Sequence, residues 1–303
     1  MRGFATLLAL AGLLLASPLA RAESAALQAQ ITEVHAAVAP YRDVAAARAA
    51  GWRRTTAHVP LMGEHWSKRR AEPDYVDGQP IDFTQPSNLI YAEIGGRREL
   101  VAVAYVVRIG PNDPLPEGFQ GAEDLWHVHN LDQILAAVGE VRPFVARLGR
   151  SWVDRRLASD GRRRLAMLHV WLDGRNPLGR FENLDPTLPY RRHGLGPAHW
   201  SGASLDAARG VALALPEGCE EEFDGKLRLA GVERRRKRQI LALCRDYAAQ
   251  VRGQISAPPA TLNRVAEEAA RTLDSHLLIL LRPAETARIA ALVEGPSGIC
   301  MAR

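Results

Sequence analysis

The sequence predicts an α+β protein: a small β-sheet core with irregular loops, flanked by helices, and a helical C-terminal region. Three observations carry this. Leu100 to Val107 (LVAVAYVV) and Leu165 to Leu172 (LAMLHVWL) are apolar runs with β-branched residues, bounded by turn-forming stretches, which is the pattern of buried strands. After about residue 200, Lys226 to Gln254 and Ala260 to Leu281 take on helical period with Arg, Glu and Ala on the polar face. Tryptophan stops at Trp200, so the composition changes where the texture does.

Each element follows in order. Residues 1–22 read as an export signal. Met1-Arg2-Gly3 is a basic start, Phe4 to Ala16 an apolar run too short to span a bilayer, Pro18 a helix breaker, and Ala20-Arg21-Ala22 an A-x-A cleavage site. The expectation is a periplasmic or secreted protein cleaved near Ala22, with no transmembrane segment afterwards. Residues 23–199 form a mixed α+β domain rich in His and Trp, and 200–303 a mainly helical region. Within the first, Ser24 to Val38 and Tyr41 to Ala50 read as helices ended by Pro40 and Gly51. Residues 57–90, 110–124 and 176–197 are rich in Pro, Gly and Asp and read as loops. Leu131 to Leu148 reads as helical, and Pro283 starts a last helix.

At 303 residues, 47% hydrophobic and 24% charged, the composition is globular, which excludes a disordered, collagen-like or coiled-coil chain. The net charge of +5 falls to +3 once Arg2 and Arg21 leave with the signal, too little to argue for nucleic acid. The basic runs Arg162–Arg164 and Arg234–Arg238 therefore read as solvated faces, with attraction to anionic lipid or polyanions as the alternative. The three Cys exclude a disulfide-built miniprotein. In an oxidising compartment one disulfide is expected among Cys219, Cys244 and Cys300, and Cys219–Cys244 is favoured because it closes a modest loop.

The candidate chemistry lies where His and Trp coincide. Four of the six Trp stand within two residues of a His: His65-Trp66, Trp126-His127, His169-Val170-Trp171 and His199-Trp200. On an extended segment His127 and His129 project from one face, because strand side chains alternate. Two neutral imidazoles on one face can share a metal, and His169 or His65 would supply further ligands for Zn, Cu or Fe. Glu64, Glu123 and Asp124 are the nearby carboxylates, candidates to orient an imidazole or to act as a general base. His35, His58, His193 and His276 lack a partner pattern and read as surface or packing residues. No nucleophile elbow, P-loop or dinucleotide fingerprint occurs. The competing expectation is a periplasmic small-ligand-binding or scaffold module whose His/Trp segments are a structural core without metal. Substrate, reaction and oligomeric state stay open.

Taken together, Tyr41-Arg42-Asp43-Val44, Met62-Gly63-x-His65-Trp66, Asn88-Leu89-Ile90-Tyr91, Met167-Leu168-His169-Val170-Trp171 and Asn176-Pro177-x-Gly179-x-Phe181 resemble a family of secreted bacterial proteins of uncharacterised function over residues 40–190. The resemblance implies export and a compact mixed domain, and no activity. Gly121-x5-His127-x-His129 is also similar to the opening of the first cupin motif, without its Glu or the second motif.

Overall fold

The structure is a computed structural model that describes residues 24–68, 80–110, 112–121, 125–129 and 164–293. The signal expected at residues 1–22, the helix expected over 131–148, Glu123, Asp124 and Cys300 lie outside the described residues.

Helix α1 (Ala25–Val38) starts at Ser24, whose hydroxyl accepts from the Leu27 N–H. That caps an otherwise orphaned donor. Leu27, Ile31, Val34 and Val38 recur at helical spacing and form its buried stripe. A 3-10 turn (Ala39–Arg42) leads into α2 (Val44–Ala49), capped by the Asp43 carboxylate.

Six strands follow: β1 (Arg53–Arg54), β2 (Glu64–Ser67), β3 (Asn88–Ile94), β4 (Arg97–Ile109), β5 (His127–His129) and β6 (Arg164–Trp171). They form one sheet in the order β1-β2-β3-β4-β6-β5, antiparallel at every pairing. The two apolar runs of the sequence are its central strands β4 and β6. The loop expected over 57–90 is corrected in part. Glu64–Ser67 and the start of β3 pair within it, because a four-residue strand is too short to show a period. His65 therefore stands on a strand rather than in a loop.

The two faces of the sheet divide the core. One carries Trp66, Leu89, Tyr91, Val103, Tyr105, Leu168 and Val170 against α1, α2, Phe119 and Phe181. The other carries Ile90, Ala92, Ala102, Ala104 and Trp171 against Leu188. A register shift at Ile90/Tyr91 bends β3 against β4. The Asn176 amide closes the turn after β6, donating to the Leu184 carbonyl while its oxygen accepts from the Leu178 N–H. Gly179, at φ 137°, supplies the backbone freedom there.

Short helices α3 (Leu188–Arg192) and α4 (Pro197–Trp200) lead to a bundle of α5 (Leu205–Leu213), α6 (Gly218–Leu229), α7 (Arg234–Arg252), α8 (Pro259–Leu280) and α9 (Pro283–Val293). The segment expected to be helical over 226–254 is thus two helices, broken at Gly231, whose φ is 75°. Cys219 and Cys244 form the disulfide that ties α6 to α7. Arg209 on α5 is buried and bonded to Glu222 and Asp274, while Lys226 also reaches Glu222. The cost of burying this guanidinium is offset by the carboxylates that pair with it. Among the described residues, no helix is long and apolar enough to cross a membrane.

Candidate functional site

The sheet register gathers four histidines on one face. Paired residues point to the same side, and neighbours along a strand to opposite sides. His65 pairs with Ile90, Ile90 with Ala102, and Ala102 with Trp171. His169 lies two residues before Trp171, and His127 pairs with Met167, two residues before His169. His129 follows His127 at the next same-side position. His65, His127, His129 and His169 therefore share the face of Ala102 and Ala104.

Strands β2 and β6 have β3 and β4 between them, so a flat sheet would hold them about 14 Å apart at ~4.8 Å per strand. Yet His65 Nε2 lies 3.2 Å from His169 Nε2. The sheet is coiled with this face concave, as twisted antiparallel sheets with bulges can be. The intervening β4 residues are alanines, which leave room for the rings to meet above them. The His127 ring centroid is 4.7 Å from that of His129 and 5.1 Å from that of His169.

Local contacts set the orientation of His65. Gly63 precedes it at φ 105°, with the chain so close to β3 that a Cβ there would lie 2.5 Å from the Tyr91 carbonyl oxygen. Only glycine fits this approach. The Thr56 hydroxyl accepts from the His65 N–H at 2.9 Å and lies 3.4 Å from His65 Nδ1. With Nδ1 turned to Thr56, the other ring nitrogen faces His169.

All four rings are buried: His169 is fully enclosed and the other three are 6–8% exposed. Burial disfavours the charged imidazolium. It pushes His65 down to about 4, with the charge of His129 adding to the effect. It pushes His127 down to about 3, helped by His129 and opposed by a backbone interaction at Leu125. His129 falls to about 4 by burial. His169 is lowered well below 6.5 by burial and then by His127, His65 and His129, with Asn183 pulling the other way. At neutral pH the face presents neutral imidazoles, the form that binds metals.

Two ligands at 2.0–2.1 Å from a tetrahedral ion lie about 3.4 Å apart. The 3.2 Å separation of the His65 and His169 nitrogens is close to that edge. The remaining two rings stand beside this pair without closing on one point. Among the described residues, no three His, Cys, Asp or Glu side chains form a finished metal-holding group.

Glu64 does not join the cluster. As the strand neighbour of His65 it points the opposite way, bonded to the Trp66 indole N–H at 3.0 Å and paired with Arg54 and Arg98. Thr56 and Asn183 touch the cluster without any sequence signal. Their positions depend on pairings that periodicity does not encode. His58, read as a surface or packing residue, is drawn to α6, 3.1 Å from the Glu221 carboxylate, which Arg192 also clamps. These groups line a charged cleft of about 510 Å³ with Arg54, Arg98 and Glu64.

The fold and site define an α+β protein with a buried four-histidine face. No known family model matches the chain, and no curated protein or solved structure shows significant similarity to it.

Proposed function

We propose that this is an exported protein that binds a transition metal through His65, His127, His129 and His169. The observation that carries the reading is the 3.2 Å approach of two imidazole nitrogens within a set of four neutral, buried rings. An all-imidazole set suits Zn, Cu or Fe, and Thr56 beside His65 Nδ1 is the kind of outer partner that fixes a ligand's tautomer. A bound ion would supply Lewis-acid or redox chemistry. The chain's own residues bind it, hold it in the concave face and exclude water from it. Export rests on the N-terminal signal of residues 1–22 and is supported by the Cys219–Cys244 disulfide, a bond that persists in oxidising compartments. A mature N-terminus at Glu23, read by mass spectrometry of the exported fraction, checks that part.

One observation favours a second reading, a structural His/Trp core or small-ligand module without metal. His65 and His169 satisfy one another directly, and the other two rings do not complete a ligand set. Elemental analysis separates the two. The purified protein, equilibrated in turn with Zn, Cu and Fe salts and desalted, is expected to retain about one equivalent of one of them. The His127→Ala/His129→Ala and His65→Ala/His169→Ala variants are expected to lose it. Retention well below one equivalent for every metal, or full retention by both variants, leaves the structural core as the function of the cluster.

A further inference from the structure

We propose that one end of the helical bundle is a docking surface for an anionic lipid bilayer. Helices α7 and α8 are connected by the short segment 253–258, so the start of α7 lies at the same end as the finish of α8. Helix α6 finishes there too, four residues before α7, and α9 begins there, two residues after α8. The Arg236–Glu285 ion pair, bidentate at 2.7 and 2.8 Å, locks the starts of α7 and α9 together.

This end exposes apolar side chains where the rest of the bundle buries them. Ile279 is 79% exposed and Leu278 66%, the two highest values among large apolar side chains of the described residues, and Leu229 at the end of α6 is also exposed. The buried stripe of α8 runs through Ala270, Leu273 and Leu277, so Leu278 and Ile279 fall off it by helical geometry. Exposed aliphatic side chains grouped at one end mark an interaction surface rather than a stray surface residue.

The charge around them selects the partner. Over residues 228–238 and 278–288 the exposed ionic side chains are Arg228, Arg234, Arg235, Arg238, Arg282 and Arg288 against a single acid, Glu233. Glu285, the other acid in those stretches, is buried and spent on Arg236. Exposed aliphatic side chains and arginines at one end of the bundle match the boundary between lipid tails and anionic headgroups: the aliphatics enter the acyl edge and the guanidiniums meet the phosphates. An apolar protein surface would complement the leucines but leave the exposed arginines at the start of α7, Arg234, Arg235 and Arg238, facing one acid, Glu233. With no membrane-spanning helix among the described residues, the contact is peripheral.

Co-sedimentation of the purified protein with vesicles tests this. Binding is expected to vesicles of phosphatidylcholine mixed with phosphatidylglycerol, and not to phosphatidylcholine alone. It is expected to weaken strongly as added salt shortens the reach of the charges. Leu278→Ser/Ile279→Ser removes apolar insertion and is expected to weaken binding by about tenfold or more. Arg235→Ser/Arg238→Ser is expected to do the same at low salt. These side chains are exposed, so thermal unfolding of both variants stays at the wild-type temperature. The proposal is overturned by absence of binding to the anionic vesicles, by equal binding to both vesicle types, or by binding that both variants retain. It is equally overturned if Leu278→Ser/Ile279→Ser abolishes self-association in sedimentation while leaving vesicle binding unchanged, since the surface would then dock a second copy of the chain.

Discussion

Acid should unfold this protein near the point where its buried histidines would gain charge. An imidazole in the unfolded chain titrates near 6.5. In the fold, His65 and His129 are pushed down to about 4 and His127 to about 3, mainly by burial. Between those values the unfolded chain binds protons that the folded one refuses, so stability rises with pH across the window and is complete above about 6.5. Lowering the pH from about 7 to about 5 costs about 2 kcal/mol per group, from 1.36 kcal/mol per pH unit below the unfolded pKa. Three such groups together lose about 6 kcal/mol, comparable to the whole stability of a typical domain of 5–15 kcal/mol. His169 adds to this in the same direction, as do the lowered His35 and His193 to a smaller degree. Glu221 does not interfere. Hydrogen bonds from His58 and Arg192 outweigh burial and hold it at about 2, so it stays ionised across the window. Urea unfolding followed by tryptophan fluorescence at about pH 7, 6 and 5, with chelator present, measures the effect without metal linkage. A change below about 1 kcal/mol over that range would refute the burial of neutral imidazoles on this face.

Three further outcomes are expected. Gly63→Ala combines φ 105° with a 2.5 Å clash against the Tyr91 carbonyl, and should cost about 2–3 kcal/mol in thermal or urea unfolding; an unchanged midpoint would mean that β2 can move off β3. Cys219→Ser/Cys244→Ser opens a link spanning 25 residues and should cost about 3 kcal/mol, read as the same loss in wild-type protein treated with reductant. Glu222→Ala strips Arg209 and Lys226 of their buried carboxylate and should cost about 3 kcal/mol by urea unfolding, with a smaller loss in Arg209→Met/Glu222→Leu, which removes both members of the Arg209–Glu222 pair.

The strands and helices that were legible in the sequence are those with a long, pure period. Leu100–Val107 is apolar on both sides because helices cover one face and the histidine face is enclosed, and such a run identifies a central strand by itself. The buried stripe of α8 runs from Leu262 to Leu277, about four turns at 3.6 residues each, and Pro259 and Pro283 mark where α8 and α9 begin. β2 and β5 were not legible as strands of a sheet, because three or four residues make too short a pattern and their pairing is set by β3 and β6. For the site, the His-x-His spacing foretold that His127 and His129 share a side, since alternation is a local property. That His65 meets His169 depends on curvature accumulated over four strands, and on alanines at 102 and 104 that look like ordinary strand residues. The exposed end of α8 was hidden for the opposite reason. Leu277 to Leu281 reads as one apolar run, and only packing separates the buried Leu277 from its exposed neighbours.

His65 and His169 stand 104 residues apart in the chain. Until β6 has docked on β4, an unfolding or nascent chain offers only the adjacent pair His127 and His129 to an ion, and the other two imidazoles drift at polymer distances. The cluster is thus an end product of folding. On the proposed export route, a chain threaded unfolded through a translocation pore would cross without the cluster, and a metal would be bound only once the sheet had folded on the far side.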